Sequence, residues 1–162
     1  MHALIRSSIV VVAVMAIAAG CATGGSGSTP APTTAGEPST PPSGDLGLAL
    51  AASDLGQILV DDAGITLYGF TPDEGGTPTC YEGCAAAWPP VLADDAAGVQ
   101  AGAGLDASLL TTADRTDGGK QLLYNGWPLY YFASDSAAGD TKGQGVGGNW
   151  FVIDATGNLI QQ

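Results

Sequence analysis

The chain has 162 residues, with 16 acidic side chains against 4 basic ones and a sequence pI near 4.1. This balance speaks against a nucleic-acid partner, because phosphate binding needs clustered Lys and Arg. One domain is the expectation at this length, and 25 Gly and 10 Pro with only 12% charged residues describe a turn-rich globular chain joined to something flexible.

The chain opens on a polar start containing His2 and Arg6, then an apolar run from Ile9 to Ala19, then Gly20 and Cys21. That is the form of a cleaved secretory signal. At about eleven residues the run is too short for the roughly twenty that a bilayer-spanning helix needs. Ala18, Ala19 and Gly20 directly before Cys21 resemble the lipobox of bacterial lipoproteins, with Ala18 where Leu is usual. The resemblance implies that residues 1–20 are a lipoprotein signal peptide and that Cys21 is lipidated, with secretory cleavage that leaves Cys21 a free thiol as the alternative. Two or three acyl chains make attachment lasting where one does not. Cleavage would leave three basic residues among all sixteen acidic ones. Lipid rather than charge would then hold the protein at the extracytoplasmic face of a bacterial membrane.

Residues 21–45, Cys21 and a stretch rich in Thr, Pro, Gly and Ser, contain no aliphatic side chain larger than Ala and no aromatic. Such a segment cannot bury enough apolar surface to offset the entropy of ordering, so it reads as a disordered tether. It suits a spacer that lifts the domain, residues 46–162, off the membrane.

That domain is an internal duplication. A shift of 62 residues places Leu48 on Leu110, Gly64 on Gly126, Leu67 on Leu129, Tyr68 on Tyr130, Phe70 on Phe132, Asp73 on Asp135, Gly83 on Gly145 and Trp88 on Trp150 without a gap. Two repeats, 48–95 and 110–157, follow from this. In the first, strands at Gln57–Asp61 and Ile65–Phe70 flank Asp62-Ala63-Gly64. In the second, strands at Lys120–Tyr124 and Trp127–Phe132 flank Asn125-Gly126, a type I′ hairpin signal. Further strands are expected at Leu109–Ala113, Trp150–Asp154 and Asn158–Gln161, with turns at Asp117-Gly118-Gly119 and Asp154–Gly157. Pro128 cannot donate to a ladder, which puts its strand at an edge or its amide position outward. Three alanines between Tyr81 and Trp88 predict one helical turn that Pro89-Pro90 stops. Ala93 to Leu105 shows no periodicity and reads as the connection between copies. The fold class is all-β: a duplicated β-meander of about eight short strands forming a small sandwich or barrel.

Tyr68, Phe70 and Asp73, and again Tyr130, Phe132 and Asp135, fit Tyr-x-aromatic-x-x-Asp, and Cys80-Tyr-Glu-Gly-Cys84 with Trp88-Pro-Pro follows the first copy. With the lipobox, this resembles the bacterial secreted-repeat lipoproteins that carry a Tyr-x4-Asp motif. The resemblance spans Leu46 to Ile160 and implies a cell-surface lipoprotein of unknown molecular function. Each motif's Tyr and Phe share one strand face, as core aromatics would. Asp73 and Asp135 stand just past the strand, where a carboxylate accepts backbone N–H groups or a tyrosine hydroxyl, with a ligand-binding role for the two as the alternative.

What is missing narrows the chemistry. His2, Met1 and Met15 all precede Cys21, so the mature chain has no His and no Met. That removes blue-copper ligation, His-ligated haem, His-based zinc sites and every His-dependent triad. No feature selects a carboxylate pair for glycoside hydrolysis. Cys80 and Cys84 form an even pair; residues four apart on a helical turn stand about 6 Å apart at Cα, a span that a disulfide bridges. A structural disulfide is expected, ahead of a redox dithiol or a metal ligand pair, since no basic residue lies near it in sequence. Asp135 and Asp140 in a Gly-rich loop, and Asp114 with Asp117, are oxygen donors of the kind calcium takes, without EF-hand spacing. Trp127 and Tyr131 lie opposite Tyr130 and Phe132 and would offer a surface for glycans if that face were open. The sequence therefore predicts a lipid-anchored, non-enzymatic binding or envelope module with no cofactor and no metal, in contact with the membrane and with an envelope polymer or protein. The alternatives are a thiol-disulfide or electron-transfer accessory protein working through Cys80 and Cys84, and a calcium-dependent binding module.

Overall fold

The computed structural model describes residues 46–162, so the signal peptide, Cys21 and the tether lie outside the described residues. Strands β1 (Gly47–Ser53) and β2 (Gly56–Asp61) form an antiparallel hairpin in register from Leu48 opposite Asp61 to Ser53 opposite Gly56. They are followed by β3 (Tyr68–Phe70), the short helix α1 (Gly83–Ala87) and β4 (Gln100–Ala101). The second copy supplies β5 (Leu110–Asp114), β6 (Lys120–Tyr124), β7 (Trp127–Pro128) and β8 (Trp150–Val152). These eight short strands make three small sheets, ordered β2-β1-β4, β3-β8 and β5-β6-β7. The chain is thus all-β with two equivalent hairpins, as its duplication implies. Among the described residues no helix is long and apolar enough to cross a membrane.

The β6-β7 turn has the expected chemistry. Asn125 and Gly126 take φ of 49° and 80°, the positive pair that a type I′ turn requires. Pro128 sits in β7 at the outer edge of its sheet, where its missing N–H costs no ladder bond.

Each repeat completes its pairing on the other. β3 of the first copy runs antiparallel to β8 of the second, with Tyr68 opposite Val152 and Phe70 opposite Trp150. Its counterpart is the bridge between Tyr130 and Pro90, positions one repeat away. The main-chain bond from Thr71 N–H to the Asn149 carbonyl is mirrored by the one from Ala133 N–H to the Ala87 carbonyl, both 2.9 Å. Pro89 and Pro90 lack N–H groups, which is why this second crossing is a bridge and not a strand pair.

Several expected elements are shorter or different. Ile65–Phe70 narrows to β3, with Thr66 bridged separately to Val60, and Trp127–Phe132 narrows to β7, with Tyr130 bridged to Tyr68 and Pro90. Both segments change partners along their length, so neither sustains one ladder. Asn158–Gln161 is not a strand; within it only Leu159 makes a bridge, to Ile153. The segment Ala93–Leu105 is more than a connection: β4 within it runs parallel to β1, and Val99 beside it is buried. The longest strand, β1, escapes a propensity reading because three of its seven residues are Ala, a poor strand former.

The core has two adjoining parts. One gathers aliphatic side chains such as Leu59, Leu67, Leu122 and Ile153 around Tyr124. The other is dominated by Tyr68, Tyr130, Trp88 and Trp150.

Candidate functional site

The two motif tyrosines meet main chain to main chain. Tyr68 N–H donates to the Tyr130 carbonyl at 2.9 Å and Tyr130 N–H returns to the Tyr68 carbonyl at 3.0 Å. Both side chains are fully buried, and each phenol reaches the aspartate of the other repeat. Tyr68 Oη donates to Asp135 Oδ2 at 2.6 Å, and Tyr130 Oη donates to Asp73 Oδ2 at 2.5 Å. The expected acceptor role of the aspartates holds, but the tyrosine each one serves lies in the opposite copy.

Local turns deliver the carboxylates. Thr71–Asp73 is a single 3-10 turn with Pro72 in its first positions, and it carries the Asp73 side chain back under the sheet. Asp73 Oδ1 also accepts the backbone N–H and the hydroxyl of Thr79, and is only 1% exposed. Asp135 Oδ1 accepts the N–H of Lys142 at 3.1 Å and remains half-buried. Gly143 donates its N–H to Tyr68 Oη at 3.2 Å. A Cβ there would stand 2.7 Å from Tyr68 Cζ and 2.8 Å from the Trp88 ring, so this close approach demands glycine.

Four rings stack in series beside the tyrosines. Phe132 lies on Trp88 at 4.2 Å between centroids, Trp88 on Trp150 at 3.9 Å, and Trp150 on Phe70 at 4.1 Å. The two indoles are parallel within 1°. Tyr68 meets Trp88 edge-on at 5.4 Å, and Tyr130 meets Trp150 edge-on at 5.1 Å. The arrangement repeats itself across the pseudo-two-fold that relates the copies. Of the motif aromatics expected in the core, Tyr68 and Tyr130 are buried, while Phe70 and Phe132 are only half-buried against it; that Trp88 and Trp150 are partners was signalled only by their occupying equivalent positions.

Burial raises the pKa of Asp73, of Asp135 and of Asp61, although each is partly compensated by the hydrogen bonds it accepts. Burial, and then the adjoining carboxylates, likewise push the Tyr68 and Tyr130 phenols well above their ordinary value. The half-buried Asp140 goes the other way, down to about 2, because Lys142 donates to it. A carboxyl raised in the fold contributes stability below its unfolded value near 3.8, and loses that contribution as pH rises through its folded value. Asp140 contributes above 3.8 and loses its contribution as pH falls towards 2. Repulsion among the excess carboxylates also weakens the fold as they ionise. Melting temperature is therefore expected to peak in mild acid, just above the ordinary Asp value of about 4, and to decline towards neutrality. Melts followed by circular dichroism from about pH 3 to pH 8 test this, and a steady rise to pH 7 would contradict it.

The cysteines are joined. Cys80 and Cys84 form a disulfide with Cα atoms 5.3 Å apart. Cys80 lies before α1 and only Cys84 lies within it, so the pair does not share one helical turn as its spacing suggested. Nor is the pair remote from every cation. Arg115, from the hairpin of the second copy, donates through Nη2 to the Cys80 carbonyl at 3.1 Å and lies over the Tyr81 ring at 4.4 Å. Its guanidinium is also held by Asp117 through two bonds, 2.8 and 2.7 Å, and by Gln121 Oε1 at 2.6 Å. Arg115 thus fixes the disulfide loop to the second hairpin. The sequence reading passed over it, although a lone Arg two residues before Asp117 was the available signal.

The acidic residues weighed for calcium have protein partners. Asp114 pairs with Lys120, Asp117 with Arg115, and Asp140 with Lys142 and the N–H groups of Ser136 and Ala137. No three metal-binding side chains converge among the described residues. Trp127 and Tyr131 do not form an open aromatic face: both are half-buried against the aliphatic core, and the Tyr131 hydroxyl donates to Asp61 at 3.2 Å.

No match to the chain was found among curated proteins or among solved structures. A family model does match, twice, over residues 49–92 and 111–154, which together make up more than half of the chain and fall within the two repeats read from the sequence. The match, with its copies offset as the hairpins are, places this chain in the Lipoprotein_15 family, the secreted repeat of unknown function.

Proposed function

We propose that this secreted-repeat protein is a lipid-anchored lipoprotein of the bacterial surface whose domain is a non-enzymatic binding or structural module. One observation carries the non-catalytic part: the carboxylates of the repeated motif are each held by a tyrosine of the other copy. The groups best suited to acid-base chemistry thereby hold the two halves together. The lipobox-like run before Cys21 and the Thr/Pro/Gly/Ser stretch after it supply the anchoring part of the reading. An acidic domain raised on such a spacer would meet envelope components without adhering to anionic headgroups.

Cys21→Ser in the full chain, expressed in a bacterial host fed an alkyne-tagged palmitate, tests the anchor. The parent protein is expected to take up the label and to sediment with membranes, and the variant to lose the label and appear in the medium. Label or membrane attachment that survives the substitution would overturn the anchor. Hydrolytic or thiol-disulfide exchange turnover by the purified protein that a single substitution abolishes would overturn the non-catalytic reading.

A further inference from the structure

Residues 46–162 contain no His and no Met, and both of their cysteines are in the disulfide. The oxidisable side chains of the domain are therefore its tryptophans and tyrosines, and four of them are arranged as one connected body. The indoles of Trp88 and Trp150 are in face-to-face contact, each is touched by the edge of one motif tyrosine, and each of those phenols is hydrogen-bonded to a carboxylate. At either end of the stack a half-buried Phe, Phe70 or Phe132, lies between an indole and the surface. Edge-to-face and offset contacts are the commoner aromatic geometry. A four-ring column ending twice at the surface, with a base on each flanking phenol, is more than hydrophobic packing requires.

The geometry points to a second function: the column is a relay that takes up one-electron oxidising equivalents at the protein surface and stores them on Tyr68 or Tyr130. An outer-sphere one-electron oxidant beside Phe70 or Phe132 removes an electron from the indole pair and is itself reduced. The indole radical cation is refilled by an electron from the adjoining tyrosine, and that phenol passes its proton to Asp135 or Asp73. The products are the reduced oxidant, a neutral tyrosyl radical and a protonated aspartate, so charge and atoms balance. The short O–H to carboxylate bonds let electron and proton leave together. Burial favours the protonated form of both aspartates, which suits them to receive it, while the raised phenols do not ionise on their own. The pseudo-two-fold supplies two such terminal sites per molecule. This function is independent of how the chain is anchored.

Flash-quench photo-oxidation of the full chain in detergent with ruthenium tris-bipyridine, followed by transient absorption and electron paramagnetic resonance, tests it. The expected sequence is an indole radical that decays as a tyrosyl radical appears, with slower transfer in deuterated water. Tyr68→Phe with Tyr130→Phe should abolish the tyrosyl signal, and Asp73→Asn with Asp135→Asn should leave the radical on the indoles. Trp88→Phe with Trp150→Phe keeps a ring at each position and should block formation of both radicals at the site; it gives an independent reading should the aspartate variant fail to fold. A tyrosyl signal that persists without Tyr68 and Tyr130, or that forms unchanged in the asparagine or phenylalanine variants, would overturn the relay and leave the column as packing.

Discussion

Asp73→Ala is expected to lower the melting temperature by about 10 °C or more, corresponding to a loss on the order of 3 kcal/mol in a domain of this size. The substitution strands three donors at once: the Tyr130 hydroxyl, the Thr79 hydroxyl and the Thr79 N–H. Asp73 is 1% exposed, so water cannot replace the lost acceptor without opening the core. Leaving a buried donor unsatisfied costs about 1–3 kcal/mol, and relief of the desolvation that raises the Asp73 pKa returns part of the total. Asp135→Ala should cost less, because Asp135 is only half-buried and solvent can reach the donors it leaves. Thermal melts of both variants with Tyr130→Phe and Tyr68→Phe, as double-mutant cycles, separate the pairings: Asp73 should couple to Tyr130 and not to Tyr68. Equal coupling to both tyrosines would contradict the exchanged pairing.

Trp150→Ala should be at least as damaging, at about 3–5 kcal/mol, the usual range for removing a buried large aromatic. Trp150 holds the centre of the column, touching Trp88 and Phe70 face to face and Tyr130 edge-on. Its loss leaves a void flanked by β3 and β8, the strands that join the copies. Parallel indoles in contact also couple optically, so the near-ultraviolet circular dichroism of the pair should vanish in Trp150→Ala and equally in Trp88→Phe. Trp150→Phe is expected to recover much of the stability without that signal. A near-ultraviolet spectrum that Trp88→Phe leaves unaltered would show that the indoles are not stacked.

The duplication was legible because it rests on residues with strict local demands. Gly126 follows Asn125 in a turn that needs two positive φ angles, and Trp88 and Trp150 recur at the same offset as the motif residues. Which copy each side chain serves was not legible, since pairing within a repeat and pairing between repeats leave the same pattern in one sequence. The phenol of Tyr68 could as well have met Asp73 as Asp135 until β3 was placed against β8. Arg115 was obscured for a related reason. Its partners are Asp117 and Gln121 in its own hairpin, but also the carbonyl of Cys80, thirty-five positions away, and nothing in local periodicity reports a contact of that range. β4 is held in place by its main-chain bonds to β1, and its two residues carry no apolar alternation to betray it.

The exchanged hydrogen bonds have a consequence for how such a chain can be assembled. A lone copy would present a phenol without its carboxylate and a carboxylate without its phenol, and could satisfy both only by associating with another polypeptide. Joining the copies through residues 93–110, the stretch between the two matched repeats, turns that bimolecular encounter into an intramolecular one, with an effective concentration set by the connection. Integrity of the exchanged pairs is then independent of how densely the protein populates a surface, and a single molecule carries the complete two-fold unit wherever it is exported.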